Sequence, residues 1–323
     1  MSARDPRGSV TATDARPIAV LTGPTGSGKS GIALQLAREF PIEIVSVDSA
    51  QVYRGLDIGS AKPDAATRAE VRHHLLDLVD ATAVYSAGQF ARDAADAIAD
   101  IEARGRVPLL VGGTMLYLKA LIDGIATLPQ ASERIRADID ADAKRLGWPE
   151  MHARLATVDT AAAGRIHPHD SQRIQRALEV HAVSGQPISE LQAETAPPLD
   201  REFIVTALIP SDRARLHAEL AQRFENMMAA GLLGEVRTLY ARGDLTAENP
   251  AIRAVGYRQL WSHLEGADPL ETAVERAVAA TRQLAKRQMT WLRSMRNIRA
   301  VDPYDAQGFV GVRESLIAAF CLL

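Results

Sequence analysis

Apolar positions fall into two textures along this chain. Ile18 to Thr22 (IAVLT), the group Ile44, Val45 and Val47, and Val107 to Val111 (VPLLV) are short, almost uninterrupted apolar runs. They are too short and too uniformly apolar for surface helices and read as buried strands. Lys29 to Phe40 instead has helical spacing through Ile32, Leu34, Leu36 and Ala37. Strand, glycine-rich turn and helix therefore open the chain, and continued alternation predicts a parallel sheet. Ser86 followed by Gln89 has the form of a capping box for a helix through Ala103, with Gly105 as its stop.

From about Pro129 to Pro198 the strand texture disappears. SERIRADIDADAKRLG, MHARLATVD and DSQRIQRALEVHAVSG read as helices, the last with Asp170 as N-cap and Gly185 just past its end. Strand signals return at Phe203 to Ile209 (FIVTALI). Helical spacing follows over about Asp212 to Ala230, Leu232 to Ala241, Pro250 to Leu264 and Pro269 to Arg293, with Ile298 to Val301 as an edge strand. The expected fold is α/β, a parallel-sheet core around a phosphate-binding loop, interrupted by an inserted all-helical domain. The expected division is a flexible lead-in at 1–16, core at 17–128, insertion at 129–201, and core with C-terminal helices at 202–323.

Between the first strand and helix lies GPTGSGKS: Gly23, Pro24, Thr25, Gly26, Ser27, Gly28, Lys29 and Ser30. The G-x-x-x-x-G-K-[ST] spacing, in this context, converges backbone N–H groups on phosphate oxygens. The helix N-terminus adds positive potential, Lys29 neutralises charge, and Ser30 can hold Mg2+. The motif suits a diphosphate as well as a triphosphate. Asp48 ends the second strand on the same edge of the sheet. It reads either as a turn cap or as a metal partner or general base. The third strand ends in Gly112, Gly113 and Thr114, without the acid that ATPases usually place there. Two glycines there allow backbone to approach a ligand closely, with the Thr114 hydroxyl as a donor.

Composition narrows the class. The 323 residues are 47% hydrophobic and 24% charged, enough for one large core and a smaller one. No apolar run approaches the roughly 20 residues of a membrane span, and the first residues lack the apolar stretch of a secretory signal. Cys321 is the single cysteine, which excludes an internal disulfide or a cysteine zinc cluster and points to a reducing cytoplasm. A net charge of −3 argues against wholesale coating of nucleic acid and leaves room for a local basic patch. Arg173 and Arg176 lie three apart on one helical face, whereas Arg253 and Arg258 share a face only if a turn intervenes. Lys286, Arg287 and Arg293 surround Trp291. On their own such faces read as solvated surface. His73, His74, His167 and His169 read as caps or structural hydrogen bonds: the adjacent pair cannot share a helical face, and HPH contains a proline.

Seven blocks, in order, resemble bacterial tRNA dimethylallyltransferases: GPTGSGKS, VDSAQVYRGLDIGSAKP at 47–63, HHLLD at 73–77, LLVGGTMLY at 109–117, IHPHDSQRIQRALEV at 166–180, IRAVGYRQL at 252–260 and TRQLAKRQMTWLR at 281–293. The resemblance implies Mg2+-assisted transfer of a dimethylallyl group from dimethylallyl diphosphate to the N6 amine of the adenosine just 3′ to the anticodon. It implies that Gly23 to Ser30 hold the diphosphate, with Ser30 toward Mg2+, that Asp48 is the general base, and that Lys29 and Thr114 assist. It further implies that the tRNA anticodon stem-loop meets Asp48, Ser49, Ala50, Gln51, Thr114 and Arg136. The insertion would add Gln172, Arg173, Ile174, Gln175 and Arg176. The C-terminal blocks would add Arg253, Ala254, Val255, Gly256, Tyr257, Arg258, Lys286, Arg287 and Arg293. A monomer without membrane contact is expected, and no cysteine-based zinc finger of the eukaryotic kind. Two other enzymes would use the same loop, a small-molecule or nucleoside kinase and a prenyltransferase acting on free adenine nucleotides. Either would leave the basic blocks without a task, and a non-enzymatic RNA-binding module would leave Lys29, Ser30 and Asp48 idle.

Overall fold

A computed structural model describes residues 16–130, 132–193, 195–305 and 307–321. The expected lead-in lies, apart from Arg16, outside the described residues, as does the side chain of Cys321. Six strands form one sheet: β1 (Ile18–Thr22), β2 (Ile42–Val47), β3 (His73–His74), β4 (Val107–Gly112), β5 (Phe203–Leu208) and β6 (Ile298–Val301). Their order is β3-β2-β4-β1-β5-β6, and every pairing is parallel. β1 is central, with Ala19 opposite both Leu109 and Ile204.

The four central strands are largely buried on both faces, which is why they read as continuous apolar runs. Alternate residues part to opposite sides. Val20, Val45, Val47 and Leu110 pack with Phe90 and Ile98 of helix Ala87–Ala103. Leu21, Ile44, Leu109 and Val111 pack with Ala33 and Leu36 of helix Lys29–Glu39 and with Val312 and Leu316 of helix Gly308–Cys321. The Ser86 side chain caps its helix by accepting from Gln89 N–H.

The structure departs from the pattern reading in several places. β3 is a two-residue strand paired with Ile44 and Val45, too short to leave a periodic signal. Helix Gly308–Cys321 was unforeseen; its Ser315 hydroxyl lies 2.8 Å from that of Thr206 on β5, a buried polar pair that breaks the apolar pattern on both elements. The helix expected from Pro250 begins only at Tyr257, because Gly256 sits at φ 92°, outside helical space. No described helix is long and apolar enough to cross a membrane.

Residues 123–198 form a separate compact unit, where 129–201 was expected. Its helices Glu133–Leu146, Trp148–Val158 and Ser171–Ser184 bury Ala143, Met151, Leu155, Ile174, Ala177 and Val180. Asp170 and Gly185 cap the third helix as read. At its centre the Glu179 carboxylate, with no exposed side-chain surface, accepts from Arg136 at 2.9 Å, Arg176 at 2.7 Å and Ser132 N–H at 2.9 Å. Removing one cation leaves a buried charge undercompensated. Arg176→Ala is therefore expected to destabilise this unit by about 1–3 kcal/mol, less than the roughly 3–5 kcal/mol of a fully orphaned charge, since Arg136 remains. Hydrogen exchange of Ser171–Ser184 checks this, with exposed Arg173→Ala as the silent control.

Candidate active site at the phosphate loop

Parallel pairing brings the C-terminal ends of β1, β2 and β4 to one edge, where ligands bind in such sheets. β1 runs into the phosphate loop. Gly26 at φ 82° and Gly28 at φ 83° occupy the left-handed region that a side chain would strain. Gly28 is the N-cap of helix Lys29–Glu39, so the amides of the first helical residues have no intrahelical acceptor and face an anion with the helix dipole behind them. Lys29 Nζ donates to Gly23 O at 2.9 Å and Pro24 O at 2.6 Å. Burial above all, and then the nearby Arg223 charge, pull its pKa down to about 7 against the opposing Asp48 charge.

Above pH 7 much of Lys29 is neutral in the free protein, whereas an adjacent phosphate anion favours the ammonium. Binding at about pH 8 is therefore expected to take up protons, and affinity to fall as pH rises. Titration calorimetry in buffers of different ionisation enthalpy reads the uptake; Lys29→Arg, which stays charged, should abolish it. Equal heats for the wild type in all buffers would contradict the poise.

β2 delivers Asp48. Its Oδ1 accepts from Ala50 N–H at 2.8 Å and Gln51 N–H at 3.4 Å, so the capping role is present. Oδ2 has no hydrogen bond among the described residues and is left for chemistry. Thr114, after β4, accepts from Ser49 N–H at 3.0 Å and so ties the Asp48 turn to the end of β4. Gln51 donates to Ser60 O and Ala61 O at 3.2 and 3.3 Å and accepts from Ser46 Oγ at 2.8 Å, which fixes the 57–61 loop beside it.

Two clefts open here. One, of about 330 Å³, is lined by the phosphate loop with Leu34, Ile44 and Val111. The other, of about 510 Å³, is lined by Thr114, Leu116, Arg253, Arg287 and Trp291 among others. Thr25, Asp48, Ser60, Gly113, Arg223 and Gln288 line both. Arg223 and Gln288 were missed in the sequence. Gln288 lies inside TRQLAKRQMTWLR, hidden between the cations that drew attention; it accepts from Thr25 N–H at 2.9 Å and donates to Gly113 O at 2.8 Å. Arg223, on helix Arg213–Ala229, belongs to no motif. It is half-buried, burial lowers its pKa while Asp48 raises it, and no acceptor holds its side chain among the described residues. The close approach foreseen for a ligand at Gly112 and Gly113 is made by protein: a Cβ on Gly112 would meet Val47 O at 2.1 Å, and one on Gly113 would meet Gln288 Nε2 at 2.6 Å.

Ser30 and Asp48 put hard oxygens on the first cleft. No group of three or more His, Cys, Asp or Glu gathers among the described residues. Such a sparse oxygen set fits Mg2+ shared with phosphate oxygens rather than a protein cage. His73 donates from Nδ1 to Val71 O and His74 Nε2 pairs with Glu43, both within 2.7 Å, while His167 Nδ1 accepts from His169 N–H.

A family model described as IPP transferase matches residues 51–295. The chain belongs to the IPP transferase family. It is 56% identical over 293 residues to the tRNA dimethylallyltransferase of Bordetella petrii, covering 90% of this chain and 93% of that one. It is 55% identical over 300 residues to that of Methylibium petroleiphilum, covering 90% and 91%. Among solved structures, a tRNA isopentenylpyrophosphate transferase from Bacillus halodurans matches with a TM-score of 0.68 at 31% identity, covering 95% of this chain and 99% of that one. A eukaryotic dimethylallyltransferase acting on tRNA matches with a TM-score of 0.78 at 28% identity, covering 95% and 80%.

The other residues singled out in this IPP transferase sequence fall into three groups. Arg253, Arg258, Lys286, Arg287 and Arg293 are exposed and form no ion pair among the described residues; of these Arg253 and Arg287 line the second cleft, with Ala254 and Val255. In the helical unit, Gln172 and Arg173 are exposed, whereas Gln175 is held by Asp140 at 2.7 Å and Arg136 and Arg176 by Glu179. One expectation is corrected. The Ile174 side chain is wholly buried in its unit's core and cannot meet RNA. Tyr257 is also wholly buried: its hydroxyl donates to Glu235 at 2.5 Å, and Glu235 accepts in turn from the amides of Asp57, Ile58 and Gly59. Tyr257 thus forms part of the second cleft's wall with its hydroxyl tied to Glu235, next to a buried Gly256.

Proposed function

We propose that this protein transfers the dimethylallyl group of dimethylallyl diphosphate to the N6 amine of the adenosine just 3′ to the anticodon of a tRNA, releasing diphosphate. One observation carries the reading: a phosphate-binding cleft and a larger basic and aromatic cleft meet at a wall bearing Asp48 and Arg223. The names of the relatives, dimethylallyltransferases and an enzyme acting on tRNA, support the same substrates.

The loop amides and Lys29 hold the diphosphate, and Arg223 adds a second positive charge from the shared wall. The allylic C–O bond breaks with its electron pair leaving on the diphosphate, where these fixed charges stabilise it. Ser30 would hold Mg2+, which when bound would supply further neutralisation of that leaving group. The adenine, unstacked into the second cleft, forms the new C–N bond from its amine nitrogen. That amine is weakly nucleophilic because its lone pair is delocalised, so Asp48 takes its proton as the bond forms. Exposed Arg253, Arg258, Lys286, Arg287 and Arg293 grip the RNA phosphates, and the 123–198 unit adds Gln172 and Arg173.

Labelled dimethylallyl diphosphate given to the enzyme with an unmodified anticodon stem-loop and AMP in one mixture tests the acceptor. Label is expected on the adenosine beside the anticodon and not on AMP. Label on AMP alone would replace this reading with prenylation of free nucleotides.

A further inference from the structure

Helix Leu270–Ser294 lines the second cleft with Thr281, Leu284, Arg287, Gln288 and Trp291. Their spacing of three and four residues makes one stripe along the helix. The stripe begins to matter at Gln288, whose two hydrogen bonds fix it to Thr25 and Gly113 on the wall beside Asp48. Trp291 is the next residue of the stripe, about 4.5 Å further along the axis at 1.5 Å per residue. It lines only the second cleft, and 38% of it is exposed. Trp261, by contrast, is 2% exposed and donates its indole N–H to Glu265. A second exposed apolar side chain, Leu116 at 50%, lines the same cleft from helix Met115–Ile122. Arg253 and Arg287 stand with them and carry no carboxylate partner among the described residues.

An exposed indole among unpaired arginines is the combination that binds unstacked nucleobases: the ring supplies a face for any base, and the cations take the neighbouring phosphates. The base that reacts must lie at the shared wall, within reach of Asp48. Trp291 stands off that wall by a helical turn, a step comparable with the roughly 3.4 Å between successive bases of a strand. We propose that Trp291 is a stacking platform for a base immediately beside the target adenosine, holding the strand so that the target enters the shared wall. The proposal rests on the tRNA-acceptor reading above. It makes Trp291 a positioning residue that sets affinity for the unstacked strand.

The test uses the full chain and anticodon stem-loop RNAs, intact or made abasic at one neighbour of the target. Wild-type tryptophan emission is expected to show a saturable, RNA-dependent component that Trp291→Phe removes. Trp291→Ala is expected to weaken RNA binding by about 10–100-fold, the usual scale for one stacked base, while Trp291→Phe stays within about threefold because it keeps an aromatic face. Removal of one neighbouring base should weaken wild-type binding similarly and cost little more in Trp291→Ala, since the two changes delete one contact. Costs that add fully at both neighbours, or emission with no Trp291-dependent component, would overturn the assignment even where the wild type still prenylates the intact RNA. Absence of prenylation of that RNA by the wild type would sink the acceptor reading itself, and this inference with it.

Discussion

Asp48→Asn is expected to slow the single-turnover transfer step by about 10²–10⁴-fold, or roughly 3–5 kcal/mol in barrier, at saturating RNA and donor. The geometry makes the substitution informative. One carboxylate oxygen caps the turn through Ala50 and Gln51, and the asparagine carbonyl can keep that bond. The other oxygen is the one available to take a proton, and an amide cannot replace it. Binding of both substrates is expected to survive, and thermal stability to move by no more than about 1 kcal/mol, the scale of a cap. Recovery of the rate in excess Mg2+ would instead make Asp48 chiefly a metal partner, and near wild-type turnover would leave it a cap alone.

Arg223→Gln is expected to lower the transfer rate by about 10²–10³-fold, the usual effect of deleting one preorganised donor to a developing charge. No carboxylate hydrogen-bonds this guanidinium among the described residues, so the substitution orphans no buried anion. It carries a second signature. Arg223 is one of the causes that hold the Lys29 pKa near 7, so its removal should move that pKa upward and shift the proton uptake on diphosphate binding to higher pH. A rate loss without that shift would place Arg223 away from the phosphate loop.

How far the sequence could be read follows from where its signals lie. The central strands were legible because burial on both faces leaves uniform apolar runs such as IAVLT and VPLLV. The phosphate loop was legible because Gly23, Gly28, Lys29 and Ser30 stand at the fixed spacing that its backbone geometry demands. β3 was not, since a two-residue strand has no period to detect. Arg223 was not, since it belongs to no motif and no spacing on its helix marks it. Arg173 and Arg176 show the limit of helical periodicity. Their shared face was correct, but only tertiary structure could reveal that Glu179 claims Arg176 and leaves Arg173 exposed. Tyr257 and Ile174 show the same limit from inside, where a motif gave position but not burial.

The claim on which everything else depends is that the loop binds a diphosphate as leaving group and that carbon, rather than phosphorus, is transferred. A donor carrying one label in the allyl group and another in the diphosphate decides it in a single reaction with an anticodon stem-loop. The allyl label is expected on the adenosine amine and the phosphate label entirely as free diphosphate. Phosphate label on the RNA, or transfer from labelled ATP in place of the prenyl donor, would contradict it.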